Sequence, residues 1–184
     1  HLDTLKIAIE SARGGLSVHS EVFSPFSQLL EFLGYERALL AIVDAPGKVQ
    51  ACLERLTAGA VDLARRQAAC GADAILISSA FAGAGFISRE HYRLFVLPHE
   101  RRLVDEVRKG FPEIPVYTHT CGKIGDRLDL MLQTGTMGID TLDPPPLGTV
   151  DLADAKRELS GKAFIKGNID PVNTLLEGSP AKVR

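Results

Sequence analysis

Two residues of this chain stand out for chemistry: the histidine and the cysteine of His119-Thr120-Cys121-Gly122. They close a short segment, PVYTH from Pro115 to His119, that reads as a strand. Side chains alternate along a strand, so residues two apart point the same way. An imidazole nitrogen and a thiolate sulfur on one face are donors that zinc accepts readily. Gly122 removes side-chain bulk beside them and lets the backbone turn. Two donors do not complete a tetrahedral site, so the spacing alone equally describes two packed residues with satisfied hydrogen bonds. Among the other histidines, His19 falls in the first predicted strand, where a hydrogen-bonded structural role is expected. His91 and His99 fall on a predicted helix and are expected at the surface. Cys52 and Cys70 read as small core residues of one long helix.

Carboxylates supply the second group of candidates. Asp140 and Asp143 flank the end of GIDTLD. Paired acids suggest acid–base work, but an offset of three along a strand places them on opposite faces. Asp143, nearer the strand end, is the better site candidate. Gly167-Asn168-Ile169-Asp170-Pro171 follows the last predicted strand, where Asp170 either accepts a hydrogen bond from a ligand or caps its own backbone in an Asx-type turn.

These residues need a frame that brings strand ends together. Strand signals at Leu16–Phe23, Ala74–Ile77, Pro115–His119, Gly138–Leu142 and Ala163–Lys166 alternate with helical stretches. The clearest helix runs from about Pro46 to Cys70, with apolar residues at three- and four-residue spacing. Ser24 caps a helix whose first turn holds Pro25. Ser88–Lys109 is helical with an interruption near Pro98, Gly122–Gly135 is helical, and Asp151 caps a helix to Leu159. Ser179 and Pro180 open a last one. Five βα units without hairpin signals imply parallel strands and right-handed crossovers. A doubly wound sheet and a (β/α)8 barrel both fit. No Gly-rich phosphate fingerprint follows the first strand. Five units do not close an eight-stranded barrel, so a segment of a longer barrel is expected.

Bulk properties narrow the function class. The 184 residues carry a formal net charge of −2, with 45% hydrophobic and 24% charged residues. There is no basic excess for a phosphate backbone, so nucleic acid is not an expected partner. No apolar run approaches a membrane span, and the first residues do not read as a signal peptide. Three cysteines are too few for a disulfide scaffold and suit a reducing, cytoplasmic location.

The stretches VFSPFSQLLEFLGYERALLAIVDAPGKV, VYTHTCGKIGDRLDLMLQTGTMGIDTLD and VDLADAKRELSGKAFIKGNIDPVNTLLEGSPAKV resemble the uroporphyrinogen decarboxylase superfamily. The order GADAILIS, FISREHYRLFVLPHERRLVDEV, HTCG, GNIDP matches as well. The resemblance covers nearly the whole chain and implies an α/β fold, an incomplete (β/α)8 TIM barrel of that type. The decarboxylases proper usually carry a DSWAG-like segment. Here Ser79-Ala80-Phe81-Ala82-Gly83 stands there, with Ser79 in place of the acid. The His-x-Cys-Gly signature instead resembles the zinc-dependent cobalamin methyltransferase branch.

That branch implies His119 and Cys121 as zinc ligands and catalytic residues, with a further cysteine expected beyond Arg184. It also implies a corrinoid carried by a partner protein, and a thiol acceptor that becomes a thiolate on the metal. Asn168 and Asp170 acquire a substrate- or cofactor-facing role, and Ser79 and Asp143 join them at the mouth. Phe23 and Phe26 follow the first strand, where they either touch a planar corrin or porphyrin or pack in the core. Two other functions remain open: a uroporphyrinogen decarboxylase acting on a tetrapyrrole, and a non-catalytic corrinoid- or porphyrin-binding barrel. A homodimer is also compatible with the resemblance.

Overall fold

The computed structural model describes residues 2–12 and 15–183. Helix α1 (Leu2–Ala12) precedes strand β1 (His19–Phe23), and three helices follow: α2 (Pro25–Leu33), α3 (Tyr35–Asp44) and α4 (Pro46–Ala69). Then come β2 (Ala74–Ser78), α5 (Arg89–Phe95), α6 (Leu97–Gly110), β3 (Val116–Thr120), α7 (Leu128–Gln133), β4 (Gly138–Thr141), α8 (Leu152–Leu159) and β5 (Phe164–Gly167). A π-helical turn, Pro171–Leu176, and α9 (Pro180–Val183) complete the described residues.

The five strands form one sheet in the order β1-β2-β3-β4-β5, every pair parallel. Each strand therefore pairs with its successor and the order never reverses. A doubly wound sheet requires a reversal, so the topology selects the singly wound arrangement, five strands of a (β/α)8 barrel.

One face of the sheet is buried beneath helices. Val22, Ile75, Ile77 and Val116 pack there against Ala60, Ala64 and Ala68 of α4 and against Leu103, Val104 and Val107 of α6. The alanines recur every four residues, which puts them on one stripe and lets α4 approach closely. On the opposite face β1 exposes His19, Glu21 and Phe23. That is the face a closed barrel turns inward.

Local signals account for most boundaries. Ser24 accepts a hydrogen bond from the Ser27 amide and caps α2. Asp151 does the same for α8 through the Asp154 amide. The break between α5 and α6 falls at Val96, and Pro98 sits in the first turn of the new helix, where its missing N–H costs nothing.

Several expectations need correction. The helix expected over Gly122–Gly135 is confined to Leu128–Gln133. Residues 122–127 give their backbone groups to tertiary partners: the Gly122 amide to Asp143, the Gly125 amide to Thr149, and the Lys123 carbonyl to Ala84. Cys52 is exposed and Cys70 half-buried, so neither is a core residue. They fall beside the buried alanine stripe of α4 rather than on it. His99 is buried, not on the surface, because its ring nitrogens find Thr57 Oγ1 at 2.9 Å and Gln50 Oε1 at 3.1 Å. Helices α1 and α3 form in stretches where the sequence reading places no element.

Phe26 is fully buried in the cluster with Leu29, Leu30 and Leu53, so it belongs to the core and cannot touch a ligand. Phe26→Ala should lower stability by about 3–5 kcal/mol in equilibrium denaturation. Cys52→Ser, on the exposed side of α4, should leave the midpoint unchanged.

Candidate functional site

Pairing register decides which side chains meet. Phe23 lies opposite Ser78, Ser78 opposite His119, His119 opposite Asp140, and Asp140 opposite Lys166. Paired residues in a parallel sheet share a face. The five strands thus present one row, Phe23–Ser78–His119–Asp140–Lys166, on the inward face near the C-terminal strand ends. Active sites of such barrels occupy that end.

His119 is the centre of the row. Its Nε2 lies 3.1 Å from Cys121 Sγ, so the two side chains project together as their spacing predicts. Its Nδ1 lies 2.8 Å from Thr141 Oγ1 and 3.8 Å from Asp140 Oδ2. The Thr141 contact is a hydrogen bond, whereas Asp140 at 3.8 Å acts as a charge partner. The Asp140 carboxylate, with the Cys121 sulfur second, raises the His119 pKa to about 10. Burial would raise the Asp140 pKa, but His119 and Lys166 outweigh it and hold this acid at about 2. Lys166 Nζ donates to Asp140 Oδ2 at 2.8 Å and sits 5.3 Å above the centre of the Tyr117 ring. The row is therefore an alternation of charge: imidazolium, carboxylate, ammonium.

Backbone geometry places the rest. At the end of β4 the chain turns through two non-glycine residues in left-handed conformation, Thr141 (φ 82°) and Leu142 (φ 50°). Such conformations cost about 1–3 kcal/mol each and persist only where neighbours enforce them. The turn cancels strand alternation, so Asp140 and Asp143 both serve the site. Asp143 Oδ2 accepts from the Gly122 amide at 2.7 Å and so anchors the loop that carries Cys121. Gly122 has φ +75°, the turn its type anticipates.

The expected ligand-facing residues divide. Phe23 stays on the inward face, 52% exposed, two strands or roughly 10 Å from His119. Ser79 is fully buried on the helix side, because Ser78 occupies the inward position, so Ser79 does not join the mouth. Asn168 donates to the Leu142 carbonyl at 3.1 Å and ties the two last strand ends together. Asp170 accepts from the Val172 and Asn173 amides and from the Asn173 side chain, which makes it the cap rather than a free acceptor. Asp140, Thr141 and Lys166 surround His119, and sequence reasoning passes over them or ranks them second. Sequence reasoning misses fully buried Arg127 as well. It donates to the Ala82 and Ile87 carbonyls and pairs with Asp126, holding the loop after β2 in place.

The donor set can be tested against a metal. Zinc bound to one nitrogen and one sulfur in tetrahedral geometry holds them about 3.5 Å apart. The 3.1 Å between His119 Nε2 and Cys121 Sγ is close to that spacing, so the pair fits two ligand positions. Among the described residues no set of three or more His, Cys, Asp or Glu side chains is arranged to hold a metal ion.

All 184 residues match the family model described as "Uroporphyrinogen decarboxylase (URO-D)". The chain belongs to the uroporphyrinogen decarboxylase family. Curated relatives include the uroporphyrinogen decarboxylase of Picosynechococcus sp., 30% identical over 68% of this chain and 34% of that protein. The enzyme of the same name from Chlorobium limicola is 35% identical over 65% of this chain and 31% of that one. The matched stretches thus cover about a third of the length of these URO-D relatives. A solved methyltransferase from Methanosarcina mazei superposes with a TM-score of 0.85 at 18% identity, covering 99% of this chain and 51% of that one. That likeness supports the fold.

His119 should remain protonated through pH 8 in metal-free protein, seen as an unchanging imidazolium signal in an NMR titration. Asp140→Asn should lower its pKa by about one unit or more. An imidazole that titrates near its ordinary value in the unsubstituted protein would contradict this electrostatic account.

Proposed function

We propose that the protein is a methyltransferase of this family. It moves a methyl group between a corrinoid on a partner protein and a small thiol, with His119 and Cys121 as two of the protein ligands of a zinc ion. The observation that carries this reading is the 3.1 Å approach of Nε2 and Sγ at the C-terminal strand ends. A zinc ion there supplies a Lewis acid that lowers the pKa of a thiol it binds. A further protein ligand is expected outside the 184 residues.

The chain's own residues do the positioning. Thr141 and Asp140 fix the orientation of the imidazole through Nδ1, leaving Nε2 beside the sulfur. Lys166 holds Asp140 ionised. Asp143 sets the backbone turn after Cys121. Phe23 offers an exposed ring on the same face for an apolar or planar part of a ligand. Transfer to a preformed thiolate requires no general base.

The 30–35% identity to uroporphyrinogen decarboxylases favours a second reading, carboxyl removal from a tetrapyrrole. Metal analysis and two assays on the purified whole protein separate them. Under the first reading zinc co-purifies and methylcobalamin methylates a thiol. Cys121→Ala should abolish both without unfolding the protein, and Asp140→Asn should weaken metal binding or activity roughly 10–100-fold. Zinc-free protein that releases carbon dioxide from uroporphyrinogen, with Cys121→Ala still active, would overturn the methyltransferase reading.

A further inference from the structure

Ser79 Oγ, Tyr92 OH and both carboxyl oxygens of Glu100 are among the buried side-chain oxygens that make no hydrogen bond to the described residues. They come from the end of β2, from α5 and from the first turn of α6. Ser79 and Tyr92 are fully buried and Glu100 is 1% exposed. A buried carboxyl without a cation is costly to ionise. Burial accordingly raises its pKa to about 7, and the Ser79 and Tyr92 hydroxyls beside it pull the other way.

Other charges near α6 are engaged elsewhere. Arg127 lies over the Tyr92 ring at 5.6 Å and donates to the Ala82 and Ile87 carbonyls and to Asp126. His99, next to Glu100, bonds Thr57 and Gln50 of α4. Arg102 pairs with Glu54 of α4, and Arg101 donates to the Gln133 carbonyl of α7. The groups that act on the Glu100 carboxyl are the Ser79 and Tyr92 hydroxyls.

Ser79 links this cluster to the site. Its amide donates to the His119 carbonyl at 2.8 Å. The loop that Ser79 begins then docks on the loop carrying Cys121. The Ala84 amide donates to the Lys123 carbonyl at 2.7 Å, and Gly83 lies so close that a Cβ there would meet the Cys121 carbonyl oxygen at 2.7 Å.

We propose that Glu100 is a positioning residue for the His119–Cys121 pair: as a neutral acid it donates its one proton to a Ser79 or Tyr92 hydroxyl and fixes the 79–88 loop, and on ionisation the cost of a buried charge without a cation outweighs the pull of those hydroxyls and opens the loop to water. The role is independent of whether the site transfers methyl groups or removes carboxylates. Glu100 binds its proton more tightly in the folded state than in the unfolded one. Its contribution to stability is therefore complete below the ordinary glutamate range and is lost as the pH rises through about 7.

Hydrogen–deuterium exchange of the purified protein, read on peptides covering residues 79–88 and corrected for intrinsic rates, tests this directly. Protection should fall several-fold between about pH 6 and about pH 8.5, and Glu100→Gln, which keeps a neutral donor, should hold it constant. Equal protection at both pH values, or an undiminished loss in Glu100→Gln, overturns the proposal. A measurement that needs no variant is the infrared carbonyl band of a neutral carboxyl. It should be present at the lower pH and gone at the higher. A spectrum with every carboxyl ionised throughout also overturns the proposal.

Discussion

Register between neighbouring parallel strands is the constraint on which this structure rests. A slip of one residue between β3 and β4 would set Thr141 or Ile139 beside His119 and turn Asp140 to the helix side. The imidazole would lose its charge partner, and Lys166 would lose the carboxylate that holds it over Tyr117. The buried face prevents such a slip. Val22, Ile75, Ile77, Val116 and Ile139 are apolar at alternate positions, and any shift would expose them and bury Glu21, Asp140 or Lys166. The chemistry of one face is thus held in place by the packing of the other.

A second level of control lies in the loops beyond the strands. Thr141 and Leu142 adopt a backbone conformation unusual for their types, and in doing so they bring Asp143 within reach of the Gly122 amide. Arg127 reaches back into the protein to hold two carbonyls of the loop after β2. These contacts join residues far apart in the chain, and each ends within a few residues of Cys121. The site is less a cluster of ligands than the meeting point of four strand ends.

The strands and the His119–Cys121 pair were legible because their signals are local. Alternation along five residues suffices to place two side chains together, and the recurring apolar positions of the long helix announce α4. Asp143 ranks above Asp140 in the sequence because it lies nearer the strand end, and the alternation that would put the two on opposite faces fails at Thr141, where the backbone abandons it. Lys166 left no signal, since only the register of β4 with β5 sets it beside Asp140. Ser79 was assigned to the mouth by resemblance of its segment, while the adjoining Ser78 has the inward parity. The helix expected from Gly122 failed because tertiary hydrogen bonds claimed its first turn. Phe26 shows the reverse case: a residue beside the mouth in sequence whose helix carries it into the core.

The close approach of Gly83 to the Cys121 carbonyl reaches beyond its immediate surroundings. Even a methyl group there must separate two loops that rise from different strands, and neither can retreat without disturbing Arg127 or Asp143. Substitutions on either loop are consequently tolerable only in combinations that keep this seam closed. A designer who wished to reshape the site would have to treat residues 79–88 and 121–127 as one replaceable cassette.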